Sequence, residues 1–343
     1  MYDRIYVAIL SQESGREIMA ILVTGATGWI GGRVCNYLSS KGFNVVALGR
    51  KADPGESGPW SSYVSLDISE PLTGLKDAHQ IDTVIHCAGY AHRASETLED
   101  QKLFYAVNRE GTRNVVEWCY RHRVRRLLYL STIAVYDWMA NSSEPVTEAH
   151  PVGLQTHYAR SKFEGEKIVC CSPTDCRIVR LATVFGHGDY ANFSRMAYAI
   201  KRRSFPVPGK GSAQKSIIPV ELAAELIAKY ALMEDPPHRL INMGLPKAPS
   251  LREIVDAYHV ACNFPRSPSV PVSLARVAGA LGNVAEKVFG RFPFTTANLD
   301  KLTRNTEISV TRMLKCFPDC EFKSFKDYLL ECKEWYSSLS QNR

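Results

Sequence analysis

Residues 20–32 read Ala20-Ile21-Leu22-Val23-Thr24-Gly25-Ala26-Thr27-Gly28-Trp29-Ile30-Gly31-Gly32. A short apolar run ends at Thr24, three glycines follow at three-residue intervals, and a helical pattern begins at Trp29. In a strand–turn–helix of this kind Gly25 permits the tight turn, Gly28 lets the backbone approach a pyrophosphate, and Gly31 lets the helix lie close to the strand. The helix N-terminus then offers N–H groups and a partial positive charge to the anion.

Outward from this loop the first half alternates strand-like and helix-like segments. Ala20–Thr24, Val45–Leu48, Tyr63–Leu66, Thr83–Cys87, Leu127–Ser131 and Arg177–Thr183 read as strands, with helical patterns near 29–41, 71–79, 97–122 and 158–171. Repeated strand–helix–strand units with right-handed crossovers imply an α/β fold, a Rossmann-type doubly wound parallel sheet. After Gly186 glycine and proline become frequent. Helices near 193–203, 220–233, 250–262, 272–289 and 323–337 are separated by short extended pieces, Ile217–Val220 and Leu240–Met243. We read 19–186 as a dinucleotide-binding domain and 187–343 as a smaller, mostly helical substrate-binding lobe interleaved with the last sheet strands. The ligand cleft is expected at the carboxyl ends of the strands. Residues 1–18 read as an N-terminal extension, disordered or dispensable, without the pattern of a signal peptide.

The 343 residues are 45% apolar and 22% charged, ordinary values for a globular enzyme. The net charge of +7 is scattered; its densest run, Arg121-His122-Arg123-Val124-Arg125-Arg126, joins a helix to a strand. That pattern argues against nucleic-acid binding. The ten cysteines form no CxxC pair and no Cys/His cluster, so no metal is expected. Cys35, Cys87, Cys119 and Cys176 lie in apolar stretches and read as free thiols of a reducing compartment, the cytoplasm. No run of about twenty apolar residues calls for membrane insertion.

At the end of the second strand an acid would bond the adenosine ribose, whereas an arginine would accept a 2′-phosphate. The sequence has Gly49-Arg50-Lys51, which favours NADP over NAD, a solvated basic turn being the competing reading. Asp67, after the third strand, suits the adenine amino group or a helix cap. Tyr158-Ala159-Arg160-Ser161-Lys162 sets a phenol and an ammonium one helical turn apart. A phenol with a pKa of about 10 is a poor base, and a neighbouring cation lowers it toward neutrality. Tyr158 can then exchange a carbinol proton while Lys162 also holds the nicotinamide ribose.

Together these residues resemble the extended short-chain dehydrogenases/reductases, the NAD(P)-dependent epimerase/dehydratase family. The matching stretches are Thr24–Gly31, Asp67, His86-Cys87-Ala88-Gly89, Asn108 in Val107–Thr112, Ser131-Thr132-Ile133-Ala134-Val135-Tyr136, Tyr158/Lys162 and Arg180–Gly186. The resemblance implies that Thr132, ahead of Ser131, bonds the reacting oxygen and that Asn108 helps shape the site. It also implies cofactor contacts at Gly25, Thr27, Gly28, Trp29, Ile30, Gly31, Ile68, Cys87, Ala88 and Gly89. The helices near 97–122 and 158–171 would form a homodimer bundle. The second half is most similar to the nucleotide-sugar branch, which works in polysaccharide biosynthesis. There Asn192 and Lys215 would hold the diphosphate, Lys215 standing where an arginine is usual, with Arg304 a third contact.

The resemblance leaves 4-epimerase and 4-keto reductase of a nucleoside-diphosphate sugar open. Dehydration is disfavoured, because family dehydratases carry an Asp-Glu pair where this chain has Ile133-Ala134. A reductase of a non-sugar ketone and a non-catalytic NAD(P) sensor are the alternatives. His157 and His86 are read as structural.

Overall fold

A computed structural model describes residues 20–55, 58–75, 81–91, 97–140, 144–289 and 294–340. Residues 1–18 lie outside the described residues. The ordered elements are β1 (Ala20–Thr24), α1 (Trp29–Ser40), β2 (Val45–Gly49), β3 (Ser62–Ser65), β4 (Ile81–His86), α2 (Leu98–Tyr105), α3 (Gly111–Arg121), β5 (Arg126–Thr132) and α4 (His157–Cys170). There follow β6 (Asp175–Leu181), β7 (Thr183–Phe185), α5 (Asn192–Lys201), β8 (Val207–Pro208), β9 (Ile217–Pro219), α6 (Val220–Leu232), β10 (Leu240–Met243), α7 (Leu251–Cys262), β11 (Ser269–Val270), α8 (Val272–Phe289) and α9 (Thr296–Thr303). Three short helices close the chain: α10 (Thr311–Cys316), α11 (Phe325–Glu331) and α12 (Lys333–Ser337).

Contacts divide the chain into two units. Among the described residues the first gathers those within 20–137, 151–181 and 220–243; the second gathers those within 138–150, 182–219 and 244–340.

The first unit is the Rossmann-type α/β layer structure the sequence predicts. Its seven-stranded sheet runs β10-β6-β5-β4-β1-β2-β3, every neighbouring pair parallel. The order reverses between β1 and β4, the crevice where doubly wound sheets bind ligands. β1 is buried along its whole length, as a central parallel strand with helices on both faces must be. One core gathers Leu22, Val84, Leu127 and Tyr129 of the sheet with Val115 and Trp118 of α3. On α1, Val34, Cys35 and Leu38 turn inward, and Arg33 pairs with Glu221 of α6 at 3.2 Å.

Four predicted elements are corrected. Pro71–Leu75 form a turn, not the start of a helix, and 76–80 lie outside the described residues. The strand predicted to Thr183 ends at Leu181; Thr183–Phe185 pair instead with Ile217–Pro219 in a separate two-stranded sheet. The long helix over 97–122 contains a π-helical turn, Ala106–Glu110, between α2 and α3. The terminal helix is interrupted at Cys332, whose φ of −113° and ψ of 17° leave the helical region.

Candidate active site

Because the sheet is parallel, β1, β4 and β5 deliver their carboxyl ends to one edge, and the predicted catalytic and cofactor residues of the first unit collect there. The glycine loop is built as its spacing requires. Gly25 has φ +68°, and a Cβ there would lie 2.7 Å from Ala88 Cα; a Cβ on Gly31 would lie 2.3 Å from Gly25 O. The loop therefore sits on the Cys87-Ala88-Gly89 segment, with no room for side chains at the contact. Gly28 caps α1 and offers its first turn no side-chain bond.

Thr24 and His86 tie β1 to β4. His86 Nδ1 lies 2.7 Å from Thr24 Oγ1, its Nε2 lies 3.1 Å from Thr112 Oγ1, and Ala88 N donates to Thr24 Oγ1 at 3.2 Å. Burial, reinforced by Lys162, holds the imidazole pKa down to about 3, so the ring is neutral and structural, as read from its strand position.

α4 starts where Thr156 Oγ1 accepts from Ala159 N at 3.0 Å. This places Tyr158 in the first turn, Lys162 one turn below and Glu166 another turn below, on one face. Tyr158 packs on Phe104 at 5.8 Å between ring centroids and shares a side-chain hydrogen bond with Thr132. Burial raises its pKa above the ordinary phenol value, and the bond to Thr132 opposes that shift. The lowering toward neutrality expected from Lys162 is therefore not what this structure holds. The ammonium lies 4.2 Å over the Tyr129 ring, its pKa pushed down to about 8 by burial while Glu166 and Cys87 oppose the shift.

The two hydroxyls at the end of β5 part company. Thr132 meets Tyr158, whereas Ser131 Oγ donates to Glu166 Oε1 at 2.5 Å. Glu166 is also held by Arg180, with Nε at 3.0 Å and Nη2 at 2.7 Å. Arg180 lies over Tyr136, whose hydroxyl donates to Asn242 Oδ1 at 2.6 Å. Sequence reasoning missed Glu166 and passed over Arg180 as motif only; the single available signal was the repeat of four from Tyr158 through Lys162 to Glu166.

Asn108, in the π turn, is a clamp. Its Nδ2 donates to Tyr90 O at 2.9 Å and Ser161 Oγ at 3.0 Å, and its Oδ1 accepts from Tyr90 N at 2.8 Å. It thus fastens the segment after β4 to the helix carrying Tyr158 and Lys162. A Cβ on Gly89 would lie 3.2 Å from Asn108 Oδ1 and 3.7 Å from Lys162 Nζ, so a side chain there would crowd the Asn108 clamp. The residues fit a dinucleotide: a helix N-terminus for the pyrophosphate and, close to Gly89, the Lys162 ammonium.

Other predicted contacts are placed as follows. Arg50 and Lys51 are exposed beyond β2. Asp67 Oδ1 accepts from Ser69 N at 2.9 Å and Ser69 Oγ at 2.8 Å, a local turn rather than a helix cap. Ile68 is buried, its carbonyl accepting from Asn114 Nδ2 at 2.8 Å. Thr27 is half-buried in the glycine loop. Burial pushes the Cys87 thiol up to about 12, so it is no nucleophile. His157 Nδ1 lies 3.2 Å from Tyr105 Oη, a helix contact.

In the second unit, Lys215 and Arg304 come together, and Asn192 is exposed at the start of α5. Lys215 Nζ donates to Lys301 O at 2.8 Å and Arg304 O at 2.5 Å, closing the end of α9. Burial and the Arg304 charge push its pKa down to about 8. Among the described residues no group of acidic, histidine or cysteine side chains could hold a metal, and no helix is long and apolar enough to cross a membrane.

The model of the NAD dependent epimerase/dehydratase family matches residues 21–244. The chain belongs to that family. The match covers the sheet from β1 to β10 and every predicted catalytic residue. Family membership makes the protein an enzyme of the NAD-dependent oxidoreductase type. Among the chain's relatives, an N-acetyl-alpha-D-glucosaminyl-diphospho-ditrans,octacis-undecaprenol 4-epimerase of Escherichia coli O157:H7 is 25% identical over 85% of this chain and 88% of its own. The human short-chain dehydrogenase/reductase family 42E member 1 is 26% identical over 94% and 88%. A UDP-glucuronic acid 4-epimerase from Bacillus cereus, solved with NAD, superposes with a TM-score of 0.70 at 17% identity, covering 93% of this chain and 98% of that one. That likeness establishes the fold.

Proposed function

We propose that the protein is a 4-epimerase of a sugar carried on a diphosphate, with a nucleoside diphosphate as the expected carrier. The observation that carries this is the hydrogen bond between Tyr158 and Thr132 at the open edge of β5, with Lys162 one turn below. Two hydroxyls converging on one point are what a carbinol–ketone exchange needs: Tyr158 to take or return the proton, Thr132 to hold the same oxygen. Lys162 supplies the positive charge that favours the phenolate as the proton leaves. A bound nicotinamide would supply the hydride acceptor and donor for C4. Gly25, Gly28 and the first turn of α1 would hold the pyrophosphate, and Lys162 the ribose.

Support for a diphosphate-linked sugar comes from the relative whose substrate is an N-acetylglucosamine joined through diphosphate to a polyprenol. Ile133 and Ala134 beside Thr132 offer no proton to an elimination, which favours epimerisation over dehydration. The 4-keto reductase reading draws on Arg50 and Lys51, exposed where a 2′-phosphate of NADP would lie. Homodimerisation through α3 and α4 is supported by an apolar groove of about 410 Å³ between them, lined by Val116, Tyr120 and Ile168.

The test uses UDP-N-acetylglucosamine deuterated at C4. An epimerase returns the deuterium to the C4 epimer without added cofactor, while a reductase consumes NADPH with a 4-keto sugar. Tyr158→Phe is expected to lower turnover about 10²- to 10⁴-fold. Unchanged turnover in that variant on every accepted substrate would sink the assignment.

A further inference from the structure

We propose that α8, with the apolar groove at its foot and the cations beside it, is a docking surface for an anionic phospholipid membrane. This 18-residue helix is built inside out for a surface helix. Its inner face is small: Ala275, Gly279 and Gly282 are buried, and a Cβ on Gly279 would lie 3.0 Å from Thr296 N of α9. Asn283 fixes the contact, donating from Nδ2 to Thr296 Oγ1 at 2.9 Å and accepting from Thr296 N at 3.2 Å.

The large aliphatic side chains point the other way. Leu274, Val277, Leu281 and Val284 are 59%, 58%, 67% and 61% exposed. Their spacing of three, four and three residues sets them in one stripe along the helix. Leu274 also opens onto a groove of about 360 Å³ lined by Pro206, Pro208, Val270, Ala278 and Phe294. A continuous apolar face of this kind marks a surface that something covers.

The surrounding charge says what covers it. Between Asp189 and Glu221 the chain carries Arg195, Lys201, Arg202, Arg203, Lys210 and Lys215 and no acid. Arg202, Arg203 and Lys210 are exposed at the two ends of the 204–208 segment that walls the groove. The turn holding Lys210 packs on the start of α8, where a Cβ on Gly209 would lie 3.1 Å from Val272. On α8 itself Arg276 and Lys287 are exposed, against one acid, Glu286. Aliphatic residues rimmed by Arg and Lys match the acyl boundary and anionic headgroups of a bilayer surface. A second copy fits worse, since a two-fold contact would set these cations against their own equivalents. Because no described helix is fit to cross a bilayer, the helix lies on the surface. Docking uses none of Tyr158, Lys162 and Thr132 and is independent of the reaction proposed above.

The test is flotation of the full chain with vesicles of phosphatidylcholine alone or mixed with phosphatidylglycerol. The chain is expected to float with the anionic vesicles and to bind neutral ones weakly. Leu281→Ser with Val284→Ser, and separately Arg202→Ser with Arg203→Ser, should each weaken binding by about tenfold or more. These side chains are exposed, so the melting temperature should hold. A full chain that stays unbound on anionic vesicles overturns the proposal, as does an aliphatic variant that binds like the parent. If the aliphatic variant instead turns a dimer into a monomer by light scattering while the parent binds no vesicle, the face joins two copies and the membrane proposal fails.

Discussion

Glu166 grips Arg180 with both carboxylate oxygens, at 3.0 and 2.7 Å, and both side chains are almost wholly buried. The pair joins α4 to β6 directly beneath Lys162, and Ser131 adds a third bond to the same carboxylate. Removing one partner leaves the other charge buried. We expect Glu166→Gln to lower the unfolding free energy by about 3–5 kcal/mol, whereas replacing both Glu166 and Arg180 by Met costs much less. Urea denaturation of the three proteins checks this; equal stability of the single and double variants would refute it.

The same carboxylate raises the proton affinity of Lys162, whose pKa burial has pushed down to about 8. If turnover needs the ammonium, rate falls as pH rises through about 8. Without the Glu166 charge the ammonium is less favoured, so the alkaline fall should move to lower pH. A pH–rate profile of Glu166→Gln whose alkaline limb stays where it was would break this link.

Thr132→Val removes the hydroxyl that meets Tyr158 and keeps the shape. It also loses the bond from Ala134 N at 3.2 Å, a cost of about 1 kcal/mol. We expect turnover to drop about 10²-fold or more with a nearly native melting curve. Ser131→Ala should behave oppositely, affecting stability through Glu166 more than the chemical step. Single-turnover rates beside thermal melts separate the two.

Gly31→Ala and Gly42→Ala make a matched pair. The first drives a Cβ to 2.3 Å from the Gly25 carbonyl oxygen, while at Gly42 nothing lies within 4 Å and only the φ of +80° is unfavourable. Gly42→Ala is expected to cost about 1–2 kcal/mol of stability and leave NAD affinity intact. Gly31→Ala should distort the loop and weaken NAD binding by at least about tenfold. Calorimetric titration with NAD decides it, and equal affinities in the two variants would contradict the loop's role.

His86 gives a pH signature. Its folded-state pKa, about 3, is below the ordinary value, so the unfolded chain binds a proton that the folded one refuses. Stability from this group is complete above about pH 6.5 and is lost as pH falls toward about 3, at roughly 1.4 kcal/mol per pH unit. Between pH 7.5 and 5 the parent should lose about 2 kcal/mol more than His86→Asn. Parallel denaturation curves across that range would rule it out.

The β1 loop was legible because its glycines answer to local backbone geometry, and the parallel sheet because its strands are short, apolar and separated by helices. Tyr158 and Lys162 were legible for the same reason: a helix converts a spacing of four into one face. What lay beyond reach were the relations between elements. Ser131 and Thr132 are ranked in the sequence by the family resemblance alone, and the physical difference between them is Glu166 on one side and Tyr158 on the other. Lys215 invites a phosphate until the end of α9 is seen to take two of its N–H groups. The predicted helix over 71–79 fails from its first residues, since Pro71 and Gly74 favour the turn found at Pro71–Leu75.

The π turn at Ala106–Glu110 makes α2 and α3 one rod with two bearings. One residue more than an α-helix would use advances the rod by about 100°. Phe104 upstream can therefore face Tyr158 while Val115 and Trp118 downstream face the sheet. The extra residue acts as a phase shifter. Losing it would keep the helix and its length of contacts, yet dial the aromatic wall off Tyr158, a change that composition or helix content would never register.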